Sequence, residues 1–166
     1  MAIDQSLIKL VPMTDAMYRS FFLEYENDPD LCRSGQDYAR YEFSEGRVAR
    51  YVQRQRDLKR IPLAIMRGDE IVGEVLIKDI EPRDRATLGI VLKNARYKDQ
   101  GIGTQAERLA VRYVFRELDI PTLYADTIRT NTRSQRVLEK VGFALISEDR
   151  DFRYYRIDRP MDPDQR

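Results

Sequence analysis

Apolar positions along this chain change period several times, and each change marks an element. Leu7 to Val11 reads as a first strand. Thr14-Asp15 has the chemistry of a helix N-cap, ahead of Met17, Phe21, Phe22 and Tyr25 at helical spacing, and Asn27-Asp28-Pro29-Asp30 breaks that run. A second helix opens at Ser44-Glu45 and puts Val48, Tyr51, Val52, Gln55 and Leu58 on one face. Pro62 to Met66 is a short apolar strand and Gly68-Asp69 a turn. Over Glu70 to Ile80, Ile71, Gly73, Val75 and Ile77 alternate with Val72, Glu74, Leu76 and Lys78, a strand apolar on most of both faces. Ala86 to Lys93 is a further strand, in which Gly89 predicts a bulge or a close backbone approach.

The next helix shows Ala106, Leu109, Ala110, Tyr113, Val114 and Leu118 at three- and four-residue spacing. Pro121 to Ile128 is a strand, Asn131 to Lys140 a helix ended by Gly142, and Phe143 to Ser147 with Phe152 to Ile157 a closing pair of strands. The order β-α-α-β-β-β-α-β-α-β-β predicts one α/β domain over residues 1–158, a mixed central sheet of about seven strands with helices on both faces. Residues 159–166 are polar and proline-bearing, which predicts a loose tail.

At 166 residues the chain suits a single core. No run approaches the ~20 apolar residues that span a bilayer. Met1 to Val11 lacks the basic start and long apolar stretch of a secretory leader. Basic residues are interleaved with acids and the net charge is +1, against a dedicated nucleic-acid surface. The absences are sharper. With no histidine and a single cysteine, Cys32, there is no internal disulfide, no zinc site built on Cys and His, and no Ser-His-Asp or Cys-His triad. That cysteine usage fits a reducing cytoplasm. Carboxylates, hydroxyls, backbone dipoles and positioning remain for chemistry, and no metal is expected.

Two segments carry the functional signal. Lys98-Asp99-Gln100-Gly101-Ile102-Gly103-Thr104 stands at the entrance of the amphipathic helix, where two glycines leave backbone N–H groups facing out at the positive end of the helix dipole, a ready phosphate site. Glycine used there only for close packing is the plainer alternative. Gly101-x-Gly103-x-x-Ala106 also fits the loose dinucleotide pattern, which would make the protein a nucleotide-dependent oxidoreductase. A dinucleotide turn, however, follows its strand directly, whereas about eight residues separate Leu92 from Gly101. The second segment is Asn131-Thr132-Arg133-Ser134, followed by Glu139-Lys140-Val141-Gly142-Phe143.

R/Q-x-x-G-x-G/A before a helix, then a strand, then N-x-x-S and E-K-x-G-F, is the signature of the GCN5-related N-acetyltransferases. The chain resembles that family from about Leu7 to Asp158. Asn131, Ser134, Glu139-Lys140 and Gly142-Phe143 look most like its RimJ/RimL-type branch, which acetylates amino groups of ribosomal proteins and of varied small molecules. Lys98 departs from the family's Arg or Gln; it keeps the charge and loses the planar fork.

The resemblance implies an N-acetyltransferase that moves an acetyl group from acetyl-CoA to a primary amine, a protein N-terminus or a small molecule, by direct attack. It implies that Lys98, Asp99, Gln100, Gly101, Ile102, Gly103 and Thr104 hold the pyrophosphate. Ile90, Val91 and Leu92, freed by a bulge near Gly89, would pair with the pantetheine arm, which Asn131 also touches while capping its helix. Glu74 and Asp126 are the candidate bases. Glu74 lies in an apolar run, where burial would raise its pKa, unless it points to solvent at a sheet edge. Thr87 stands where the family's usual strand glutamate falls, and Leu138 where many relatives carry a tyrosine, so Ser134 is the hydroxyl left to assist the departing thiolate; otherwise it only packs its helix.

Cys32 has no histidine to activate it, which argues against a covalent intermediate. Glu24, Glu26, Asp28 and Asp30 would attract a polyamine or basic peptide, or form a solvated helix end. Tyr38, Tyr41 and Phe43 line an acceptor pocket or pack locally, and Tyr154 and Tyr155 face opposite ways on one strand. A non-catalytic acyl-CoA sensor on the same fold is the rival reading. Family members are often dimers, so a homodimer is an assembly the resemblance allows; neither a membrane nor a nucleic acid is an expected partner. The acceptor amine is not legible.

Overall fold

The computed structural model describes residues 7–31 and 38–161. The elements follow the predicted order: β1 (Ile8–Pro12), α1 (Asp15–Leu23), α2 (Glu45–Asp57), β2 (Ile61–Arg67), β3 (Glu70–Glu81), β4 (Arg85–Leu92), α3 (Ile102–Arg116), β5 (Thr122–Ile128), α4 (Thr132–Val141), β6 (Ala144–Glu148) and β7 (Phe152–Asp158). Short 3-10 turns are added at Pro29–Leu31 and Ala95–Tyr97. The caps are those the residues favour. Thr14 accepts a hydrogen bond from the Met17 N–H at 3.2 Å and Ser44 one from the Arg47 N–H at 3.2 Å.

One seven-stranded sheet runs β1-β2-β3-β4-β5-β7-β6. Only β4 and β5 pair in parallel; every other neighbouring pair is antiparallel. The last strand inserts between β5 and β6. Helices cover both faces. On one, Tyr18, Phe21 and Phe22 of α1 and Val48 and Val52 of α2 pack with Ala64 and Met66. On the other, Ala106, Ala110 and Val114 of α3 pack with Leu63, Ile65, Val75 and Ile77. Successive β2 residues go to opposite layers, as strand alternation requires.

The central feature is where β4 and β5 part. β4 keeps its register with β3 from Lys78↔Thr87 to Gly73↔Leu92, but pairs with β5 only over Arg85–Leu88. From Gly89 the parallel strands separate. The predicted bulge is absent: Gly89 sits in regular register opposite Leu76, and the sheet's irregularities lie at Ile65/Met66, Lys78/Glu81 and Leu145/Ser147. The parting has another cause. β4 stays bound to β3 and β5 to β7 along its whole length, and two twisted half-sheets joined by four pairs diverge beyond the last of them. Gly73 permits the close packing at that end: a Cβ there would lie 2.6 Å from the Val91 carbonyl oxygen.

The Arg159 N–H donates to the Pro121 carbonyl at 2.8 Å, and its guanidinium reaches the Phe115 carbonyl and Asp119. Cys32 lies outside the described residues, and among those described no helix is long and apolar enough to cross a membrane.

Candidate functional site

The loop into α3 is built by its own side chains. Asn94 accepts from the Arg96 N–H at 3.1 Å and donates to the Glu24 carbonyl at 3.2 Å, which fixes the turn at Ala95–Tyr97. Asp99 (φ 57°) and Gly101 (φ 76°) are both left-handed, and Gly101 caps α3 with no side-chain hydrogen bond. The N–H groups of Ile102, Gly103 and Thr104 have no partner within the helix. No acidic residue lies in the first turn, so the positive helix end, roughly +0.5 charge, faces an open floor. A Cβ at Gly101 or Gly103 would meet nothing within 4 Å.

This helix end opens on a cleft of about 660 Å³ whose walls include Tyr25, Leu92, Lys98, Gly103, Asn131 and Arg133. Asp99 and Thr104 also line it, whereas Gln100 is tied back to the Arg96 carbonyl and to Arg67. The Lys98 ammonium is ion-paired with Asp28. Arg133 lies 3.9 Å from Asp28 and 3.0 Å from Asp99, so Lys98 and Arg133, two of the cations that line the cleft, are already engaged by carboxylates.

Deeper in, Ile90, Val91 and Leu92 form one wall. Lys93 N–H donates to the Val72 carbonyl at 2.8 Å. Alternation along the antiparallel ladder then directs the polar backbone of residues 89 and 91 toward β3, and that of Ile90 and Leu92 into the gap beside β5. Val91 packs its side chain on the α1/α2 face, Ile90 and Leu92 on the α3 face. A second cavity of about 200 Å³ fills the gap itself, between Gly89 and Ile90 on one side and Ala125 to Ile128 on the other. Ile90, Glu107, Asn131 and Ser134 border both spaces. Asn131 caps α4, accepting from the Ser134 N–H at 3.1 Å.

The two candidate bases are not brought together. Asp126 is exposed on β5 and faces the smaller cavity. Glu74 lies on β3 under the opposite layer, 1% exposed, and borders neither cavity. The Tyr51 hydroxyl donates to its Oε1 at 2.5 Å; Oε2 and the Tyr18 hydroxyl are buried without a hydrogen bond. Burial raises the Glu74 pKa, opposed by the Tyr18 and Tyr51 hydroxyls.

One residue escaped the sequence reading. Glu107 is 2% exposed, its Oε2 has no hydrogen-bond partner, and burial alone pushes its pKa up to about 8. Its spacing, three before Ala110 and four after Gly103, was the available signal, since it sets a carboxyl on the inward face of α3.

Of the aromatic group, Tyr38 borders the cleft, while Tyr41 packs on Phe22 (5.5 Å) and Tyr25 (5.1 Å), and Phe43 lies under Arg19. Of the acidic group, Glu24 pairs with buried Lys93 at 2.9 Å and Glu26 borders the cleft. Tyr154 donates to Asp149 at 2.6 Å while Tyr155 is buried.

An uncapped glycine-rich helix start beside a parted parallel strand pair is the arrangement of the acetyltransferase (GNAT) domain. Residues 8–144 match that family, and the chain belongs to it. A probable N-acetyltransferase, YjcK of Bacillus subtilis, is 32% identical over 111 residues, covering 64% of this chain and 61% of its own length. The chain thus spans about three-fifths of that curated relative. An acetyltransferase of the GNAT family from Bacillus anthracis superposes with a TM-score of 0.73 at 18% identity, over 95% of this chain and 98% of the other. A spermidine N-acetyltransferase from Vibrio cholerae, solved with CoA and spermine, superposes with a TM-score of 0.74 at 16% identity, over 92% and 96%.

Proposed function

We propose that the protein is an acetyl-CoA-dependent N-acetyltransferase of the RimJ/RimL-type branch, acting on a primary amine by direct attack. One observation carries the reading: the uncapped start of α3 and the free edge of β4 open into one continuous cleft. The residues present suit the carrier. Partnerless N–H groups of Ile102, Gly103 and Thr104 meet a diphosphate, and the empty space above Gly101 and Gly103 admits it. Ile90 and Leu92 offer backbone groups that an amide-bearing arm pairs with as an added strand. Bound there, acetyl-CoA supplies the activated acyl group.

Positioning of the amine against that group supplies about 7–11 kcal/mol in favourable cases. Asp126, which faces the gap directly, takes the amine proton, directly or through water. Glu74 borders neither cavity and is bonded to Tyr51, so it serves the site by holding α2 on the sheet. Ser134 hydrogen-bonds the departing sulfur. The branch assignment is supported by Asn131, Ser134, Glu139-Lys140 and Gly142-Phe143.

The test is an acetyl-CoA turnover screen against peptide N-termini, polyamines, amino acids and aminoglycosides. The expected result is acetylation of one amine class. Coenzyme A binding with no transfer to any amine would make the protein a sensor instead.

A further inference from the structure

We propose that Glu107 is the proton donor to the thiolate that departs during acyl transfer, an inference that rests on the N-acetyltransferase reading above. Three observations converge. First, Glu107 borders both the large cleft and the strand gap, as do Leu31, Ile90, Asn131 and Ser134, so it stands where the two spaces meet. Second, its carboxyl is 2% exposed, yet Oε2 has no hydrogen-bond partner. A buried polar atom left unpaired is costly, and a ligand group bonded to it at that junction removes the cost. Third, Leu138 also borders the gap, and its hydrocarbon side chain has no proton to give.

The protonation state suits the task. Desolvation holds the carboxyl neutral at neutral pH, with a value of about 8. That lies close to a thiol's ~8.5, which favours transfer between the two. Ser134 hydrogen-bonds the sulfur but has no proton to release at such pH. As the amine nitrogen bonds to the acyl carbon, the carbon–sulfur bond breaks and its electron pair stays on sulfur. Glu107 then gives its proton to the sulfur, the proton shed by nitrogen goes to Asp126 or water, and Glu107 regains one from solvent. No oxidant or further reactant is needed.

Two readouts test this. The infrared band of the protonated Glu107 carboxyl, identified by its absence in Glu107→Gln, should shift when coenzyme A is added to wild type and shift much less with desulfo-coenzyme A. In turnover with the amine found by screening, Glu107→Gln should lower kcat about 10²–10⁴-fold while coenzyme A affinity stays within about threefold. A band that does not move, or moves equally with the desulfo compound, overturns the proposal, as does wild-type kcat in the variant. If wild type binds coenzyme A but acetylates nothing, the functional reading fails while the infrared comparison still decides what Glu107 touches. Failure to bind coenzyme A overturns both.

Discussion

Tyr51 of α2 donates its hydroxyl to Glu74 of β3 across 2.5 Å, a bond between residues 23 positions apart that seals a carboxyl under the α1/α2 layer. Removing the donor leaves that carboxyl without any hydrogen bond. Tyr51→Phe should therefore destabilise the fold by about 1–3 kcal/mol and raise the Glu74 pKa further. Urea unfolding checks the first expectation. If Glu74 only holds the layers together, the variant's kcat at low temperature stays close to that of the wild type; a collapse of kcat without loss of stability would return Glu74 to the mechanism.

Stability should fall as pH rises. Glu107 and Glu74 both have pKa values raised by burial, so between the unfolded and folded values the native state holds more protons than the unfolded one. Their stabilising effect is complete below the unfolded value and is lost as pH climbs through the folded one. For Glu107 the window runs from about pH 4.5 to about 8, at up to about 1.4 kcal/mol per pH unit. Denaturant titrations between about pH 5 and about pH 8 should show the decline in wild type. Glu107→Gln should flatten it, leaving the contribution of Glu74.

The glycine floor offers a separation of binding from folding. A side chain at Gly103 meets nothing in the protein, but it enters the cleft where partnerless N–H groups point. Gly103→Glu should melt within a few degrees of wild type and weaken coenzyme A binding by more than about 100-fold, about 2.7 kcal/mol. Calorimetry alongside thermal unfolding reads both. Unchanged affinity would remove the pyrophosphate from this loop.

Asp28 competes with any anion for Lys98 and Arg133. Asp28→Asn should tighten coenzyme A binding on the order of fivefold at low salt, about 1 kcal/mol, with the gain shrinking as ionic strength rises. Titration calorimetry at two salt concentrations measures it.

Asn131 serves its helix through its oxygen, so its amide nitrogen is what it can turn to a ligand. Asn131→Asp keeps a cap of equal quality and loses that donor. Stability should change by less than about 0.5 kcal/mol while coenzyme A affinity falls at least tenfold. Asn131→Ala should lose both affinity and about 1 kcal/mol of stability.

Element order, both side-chain N-caps, the capping role of Asn131 and the helix stop at Gly142 were legible in the sequence, because each depends on groups within four residues of one another. The glycine entrance of α3 was legible for the same reason: two glycines at a helix start expose N–H groups whatever the rest of the chain does. Tertiary structure alone decided the rest. β7 inserted itself beside β5, and the strand gap arose from competing pairings of β4 and β5 with different neighbours, not from a local bulge at Gly89. Asp28 captured Lys98 from 70 positions away. Local spacing puts Glu107 on the inward face of α3, but how far its carboxyl would be desolvated was decided by tertiary packing. Local periodicity reports what a segment prefers, while ion pairing, desolvation and strand separation depend on which distant surfaces finally meet.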